Sequence, residues 1–323
     1  MLKYCLRRIL MMIPVLISVV IVIFTLLYFA KGDPVELILG AEATPEQIQE
    51  TREELGLNDS YIVRLGRYFK QLLVDHNLGN SYRTGRSVSS DLVSKFWVTM
   101  SVAFGSIIFA IVFGLLMGIL AATHQDTIWD TLSVSLALIG SSMPGFLVAL
   151  LLSLLFALKL GWLEASGWGG FKYMILPIVS YGISHATTIA RQTRSSMLEV
   201  IRQDYIVTAR AKGVSNFKVI YVHALRNALI PIITQIGMMF ATAVGGAVVT
   251  ETIFSIPGIG TYMLTAIKSR DYPVVQGGML LIAFGFGIVM LLVDIVYAFV
   301  DPRIGSKYKT RKKKKAVPKA VEE

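Results

Sequence analysis

Apolar residues in this chain gather in long runs instead of alternating with polar ones. The runs cover 9–29, 98–122, 132–158, 174–190, 228–250 and 274–300. Crossing a hydrocarbon core as a helix takes about 20 residues, so the pattern predicts six membrane-spanning helices, the fourth of them short. The segment between the first two runs, 31–97, reads differently. Thr44-Pro45-Glu46-Gln47 has the residues of a capping box with proline in the first turn, and Gly56 predicts the end of that helix. Ile62, Leu65, Phe69, Leu72 and Leu73 then recur on one helical face, as in a helix that packs on neighbouring structure. Val88, Leu92 and Phe96 lead into the second run.

Composition agrees. Of 323 residues, 54% are hydrophobic and 16% charged, against about 25% charged in soluble domains. The first run is too long for a signal peptide. Tyr28-Phe29-Ala30-Lys31 also lacks a small-x-small cleavage pattern, so this run is expected to stay as a helix. Cys5 is the single cysteine, which rules out an internal disulfide and a cysteine metal cluster.

The net charge of +10 is not spread evenly. Lys3, Arg7 and Arg8 precede the first run. Arg191, Arg194, Arg202, Arg210, Lys212, Lys218 and Arg226 fill the loop 191–227, and a lysine-rich tail follows the sixth run. These places share one side of a membrane only if the span count is even and both termini are cytoplasmic. The excess charge is therefore read as topology and not as a nucleic-acid footprint. The expected fold is an all-α polytopic membrane protein of the cell membrane. It is divided into an N-terminus and first span (1–30), an extracytoplasmic helical segment (31–97), a core of five spans (98–300) and a basic cytoplasmic tail (301–323).

Several residues suggest close packing or bending within spans: Gly114-x-x-x-Gly118 in the second, Pro144-Gly145 in the third, and Ala241-x-x-x-Gly245 with Gly246 in the fifth. Catalytic chemistry is scarce. His76, His124, His185 and His223 form no metal pair at helical spacing, and only His185 falls inside a span, where a hydrogen-bonded structural role is expected. Mid-membrane ionisable groups, which ion-coupled carriers need, are few. Glu251 sits at the outer end of the fifth span, and Asp294, near Tyr297, sits toward the inner end of the sixth, where a structural hydrogen bond is expected. There is no G-x-x-x-x-G-K-[ST] phosphate loop, so any nucleotide energy must come from another subunit. That gives the loop 191–227, far longer than a chain reversal needs, a task. Two short helices joined at Gly213, which tolerates positive φ, would present a rigid knob to a soluble partner.

Within that loop, Val207-Thr208-Ala209 to Gly213 aligns with the E-A-A-x-x-x-G signature of ATP-binding-cassette importer permeases. Ala209, Gly213 and Leu225 match; Val207, Thr208, His223 and Arg226 depart. Along the rest of the chain stand Gly32-Asp33-Pro34, Leu55-Gly56-Leu57, Gly79-Asn80-Ser81-Tyr82, Arg194 to Glu199, Thr208 to Gly213, His223 to Ala228, Thr250 to Phe254, Pro257-Gly258-Ile259-Gly260 and Asp301-Pro302-Arg303. Together these resemble the B-type permease subunit of dipeptide, oligopeptide and nickel importers, over about nine-tenths of the chain. The resemblance implies a six-helix ABC importer permease bundle that binds no cofactor itself and is not an enzyme. It implies as partners a homologous C-type permease, two ABC ATPases that hold ATP and magnesium, an extracytoplasmic solute-binding protein and a peptide substrate. Arg202, Asp204, Thr208, Ala209 and Gly213 would couple to the ATPases. The stretch 253–271, with Pro257 and Gly260 shaping a turn, would face the binding protein or the pathway mouth. Met143, Gln235, Met239 and Asp294 are weaker pathway candidates. Nickel or a nickel chelate is the alternative cargo within the family, and an ion-coupled secondary transporter or a non-transporting scaffold is the alternative in another class.

Overall fold

A computed structural model describes residues 2–30, 32–40 and 42–300. The basic tail, Asp301-Pro302-Arg303 and the side chains of Ala241, Gly246 and Tyr297 lie outside what it describes. The chain is helical: α1 (Leu2–Tyr28), α2 (Pro34–Leu39), α3 (Pro45–Glu54), α4 (Tyr61–Leu73), α5 (Val88–Thr123), α6 (Ile128–Ser142), α7 (Gly145–Leu152), α8 (Phe171–Ile201), α9 (Asp204–Ala211), a single turn α10 (Asn216–Lys218), α11 (Leu225–Ile253), α12 (Ile259–Lys268) and α13 (Tyr272–Val300). Wider π-type turns continue α7 and lead into α11.

Four stretches are long and apolar enough to cross a membrane: Leu6–Tyr28, Val88–Thr123, Asn216–Phe240 and Tyr272–Val296. A fifth is added if α6 and α7 count as one broken span. The third expected run is therefore not a straight helix. It bends by 104° at Met143 and Pro144, where Met143 is extended (φ −86°, ψ 130°), as the residue before a proline prefers. The fourth expected run falls inside α8, a helix of 31 residues that is not apolar enough to join the four. Its polarity has a reason. α8 is packed by α5, α6, α7 and α11, and Ser180 and Thr187 are buried and turn their hydroxyls back onto their own helix's carbonyls. It meets protein where a lipid-facing helix would meet acyl chains.

The α5–α8 seam depends on glycine. A Cβ on Gly118 would lie 2.6 Å from the Ala190 carbonyl oxygen and 2.5 Å from Thr193 Cβ; one on Gly114 would lie 2.8 Å from the Ala186 carbonyl oxygen. From the other side, a Cβ on Gly182 would lie 2.9 Å from the Ser106 carbonyl oxygen. These glycines let the backbones approach closely and gain dispersion contact. Gly118→Leu is thus expected to lower thermal stability of the detergent-solubilised protein by about 1–3 kcal/mol or more, as read by its unfolding midpoint. Gly245→Ala should not lower it, because a Cβ at Gly245 meets no described atom within 4 Å and alanine is the better helix former. The close packing expected of Gly245 is not found among the described residues.

α1 lies at the edge, against α13 and α4. The capping box at Thr44 forms: Thr44 Oγ1 accepts from the Gln47 amide at 3.3 Å, and Gln47 Oε1 accepts from the Thr44 amide at 2.9 Å. Gly56, at φ +61°, ends α3 as expected. The Leu57 amide donates to Arg52 O and the Gly56 amide to Glu53 O, both at 2.9 Å, the paired bonds of a Schellman end. On α4 the expected stripe is rotated. Leu65, Phe69 and Leu72 pack with Val20, Phe24 and Tyr68, but Ile62 and Leu73 are exposed. Tyr68 is the buried member, and burial pushes its phenol up to about 12. α5 has 36 residues, about 54 Å at 1.5 Å per residue. It runs unbroken through the expected 97/98 boundary, with Val88 and Leu92 already in the core.

Candidate functional site

Two ends of the bundle carry polar structure. At one end, α8 overruns the apolar region and ends at Arg202, whose guanidinium donates to Gln125 Oε1 at 3.3 Å in the α5–α6 connection. Nearby, Arg194 of α8 makes a two-pronged ion pair with the buried Asp130 of α6, at 2.7 and 2.8 Å. Asp130 also accepts from the Asp126 amide at 3.2 Å. This pair fixes α6 to α8. Residues so far apart in sequence gave no sign of pairing.

After Arg202 the chain forms a helical hairpin. Asp204 opens α9, where a carboxylate suits the positive end of the helix dipole. Ile206 is fully buried and packs in a cluster with Ile189, Met197, Val219 and Ala224. Gly213 ends the helix at φ +76°. Its amide donates to Arg210 O at 2.9 Å, and the Val214 amide donates to Ala209 O at 3.2 Å, again a Schellman end. Ala209 and Val214 pack on the same cluster. The five coupling residues expected from sequence, Arg202, Asp204, Thr208, Ala209 and Gly213, therefore share one rigid knob. The knob's outward side carries Tyr205, Val207, Phe217, Tyr221 and Val222, exposed between 45% and 69%. Such an apolar surface next to cations is unusual unless something covers it.

The opposite end is organised by two buried carboxylates. Glu251, near the end of α11, is fully buried. It accepts from Thr99 Oγ1 of α5 at 2.5 Å and from the Thr261 amide at 3.0 Å. Thr99 Oγ1 in turn accepts from the Ile259 amide at 2.9 Å. Glu251 and Thr99 thus satisfy the free amides at the start of α12, a helix end that would otherwise bury unpaired donors. Gly258 and Gly260 exist to admit them. A Cβ at Gly258 would fall 2.2 Å from Glu251 Oε1, and one at Gly260 would fall 2.8 Å from Val248 Cα. Gly260 lies inside the first turn of α12 and does not shape the connecting loop; half-buried Pro257 does lie in that loop. Asp271, also buried, accepts from Ser81 Oγ at 2.5 Å and the Tyr82 amide at 3.0 Å. It ties the segment before α5 to the α12–α13 corner. Burial is the main cause that raises the Tyr82 phenol above its ordinary value.

The other expected candidates scatter. Met143 is at the α6–α7 break and half-buried. Met239 is buried against α5 and α8, and Gln235 is half-buried. The open face of α11 lies beside them, at Pro231, Thr234, Met238, Thr242, Gly245 and Val249. Its three- and four-residue spacing is one continuous stripe. Asp294 forms an ion pair with Arg8 and joins α13 to α1. The hydrogen bond expected of His185 is not found: its Nε2 has no partner among the described residues, and its ring sits edge-on to Tyr181 with centroids 5.0 Å apart.

A bundle of long apolar helices with a helical knob at one end and a carboxylate-pinned corner at the other describes a multi-pass membrane protein. The family model for binding-protein-dependent transport system inner membrane components matches residues 110–306, and the model for the N-terminal region of such membrane components matches residues 1–103. The chain belongs to this family. It is 42% identical to the dipeptide transport system permease protein DppB of Alkalihalophilus pseudofirmus, over 94% of this chain and 99% of that one. It is 39% identical to the glutathione transport system permease protein GsiC of Salmonella paratyphi A, over the same shares. Among solved structures it resembles the methionine ABC transporter MetNI in inward-facing conformations, with a TM-score of 0.56 and 20% identity, over 65% of this chain and 96% of that one. That likeness bears on the fold.

Proposed function

We propose that this chain is the transmembrane permease subunit of an ATP-driven importer of di- or oligopeptides. It sits in the cell membrane with six spans and both termini inside. In this reading α8 is the fourth span, sheltered by its neighbours, and the broken α6–α7 pair is the third. The observation that carries the reading is the hairpin at 202–224: a rigid, outward-facing apolar and basic knob on a chain with no phosphate loop of its own. Two ABC ATPases holding ATP and magnesium dock on this knob and its counterpart in a homologous C-type permease. The open stripe of α11 faces that second permease and lines the route between them. The α12 corner faces the solute-binding protein. The names of the relatives support a peptide as cargo. Among the described residues no cluster of His, Cys, Asp or Glu is placed to hold a metal.

The test is reconstitution. The chain, its second permease, the ATPases and the binding protein in sealed liposomes should accumulate a labelled dipeptide only with ATP inside and binding protein outside. Accumulation by the chain alone, collapsed by an ionophore, would overturn the assignment. Nickel uptake without peptide uptake would keep the machine and change the cargo.

A further inference from the structure

At the end opposite the knob, a cavity of about 490 Å³ opens between the C-terminal end of α1, the start of α2, Arg52 of α3, the loop before α4, and Tyr272 of α13. This falls within the roughly 300–1,000 Å³ of small-molecule sites. Its charges are unevenly used. Asp33 caps α2 by accepting from the Val35 amide at 3.0 Å, and it pairs with Arg52 at 2.7 Å. Arg64 has no carboxylate partner among the described residues. Its guanidinium lies 5.1 Å from the Tyr28 ring centroid and donates to Leu57 O at 3.4 Å, which holds it in place and leaves donors over. Glu36 lines the same cavity, is exposed and likewise has no ion partner among the described residues. The guanidinium of Arg270 lies against Gly32, where a Cβ would be 2.0 Å from Arg270 Cζ. Gly32 lines the cavity and leaves room beside it for this second cation, which has no carboxylate partner among the described residues.

We propose that this cavity is a binding site for a short zwitterionic peptide, with Arg64 taking the C-terminal carboxylate and Glu36 the N-terminal ammonium. A bare arginine and a bare glutamate in one cavity are complementary to a molecule with one charge of each sign. Tyr28 and Tyr272 add aromatic side chains to the lining. A guanidinium presents a donor fork matched to a carboxylate. The proposal rests on the peptide-importer reading and adds a station on the permease itself, outside the membrane core. Peptide would reach it after leaving the binding protein.

The test uses the assembled transporter in lipid nanodiscs without its binding protein, titrated with trialanine, trialanine amide and N-acetyl-trialanine. Trialanine should bind saturably, and each blocked peptide should bind roughly 10-fold or more weakly, the size of a lost charge-assisted hydrogen bond. In Arg64→Gln, trialanine should bind no better than its amide does to wild type; in Glu36→Gln, no better than the N-acetyl form does. Arg64→Lys should recover part of the affinity, which separates lost charge from misfolding. Acetate is the control for generic anion binding. No trialanine binding to wild type, equal binding of all three peptides, or equal displacement by acetate at the same concentration would overturn the site. Peptide uptake by the complete importer is scored separately. If wild type imports peptide while the nanodisc titration is flat, the site is wrong and the importer stands. If wild type binds trialanine but imports none, the importer reading fails and the site stands.

Discussion

A Gly213→Pro chain inserts and pairs with its second permease, but ATP hydrolysis in the assembly runs no faster with loaded binding protein than without it. The cause is local. Gly213 sits at φ +76°, and proline is fixed near −65°. Its amide donates to Arg210 O at 2.9 Å, a bond proline cannot make. Together these cost about 3 kcal/mol or more, enough to unseat α9 from the cluster around Ile206. The spans do not depend on this turn, so insertion survives. Milder substitutions set the scale. A Cβ at this position meets no atom within 4 Å, so Gly213→Ala carries only the left-handed penalty of about 1–2 kcal/mol, and Gly213→Asn carries less. Coupled ATP hydrolysis should therefore fall in the order Gly, Asn, Ala, Pro. Full stimulation in the proline variant would mean that the knob transmits nothing.

Much of this arrangement was legible in the sequence, and what was not has a common cause. The knob was legible because its signals are local: a charged first turn, an Ala-x-x-x-Gly spacing and a glycine at the exit. The same holds for the capping box at Thr44 and the Gly56 stop. The long apolar runs located the helices, but apolarity alone did not show the break in one of them or the sheltered setting of another. A proline in mid-run shows as a bend of 104° only in three dimensions. α8 carries hydroxyls that its neighbours, not its own composition, make tolerable. Rotation about the helix axis was the least legible quantity. On α11 the residues singled out, Gln235 and Met239, stand one position from the open stripe at Thr234 and Met238. One residue is about 100° of turn, enough to exchange wall for core. The long-range pairs, Arg194 with Asp130 and Asp271 with Ser81, left no trace because nothing in a linear pattern specifies a partner so distant.

The Glu251 corner offers a sharper trial, because it predicts that two damaging substitutions partly relieve each other. Gly258→Ala alone should destabilise the solubilised protein by about 1–3 kcal/mol. Its φ of −89° is open to any residue, so the cost is steric: the new methyl lands 2.2 Å from Glu251 Oε1 in a fully buried space. Glu251→Ala alone strands the Thr99 hydroxyl and the Thr261 amide, about 1–3 kcal/mol for each buried donor left without an acceptor. In the double variant the carboxylate that opposed the methyl is gone, and the methyl fills part of the space it left. The double variant's cost should then fall short of the sum of the two single costs by about 1–2 kcal/mol, beyond the roughly 0.5 kcal/mol within which independent sites add. Binding-protein-stimulated uptake should be lost in Glu251→Ala, because α12 loses its anchor, while basal ATP hydrolysis at the far end continues. Additive unfolding costs would show that Glu251 and Gly258 do not share one space. Unimpaired uptake in Glu251→Ala would show that the α12 corner takes no part in receiving cargo.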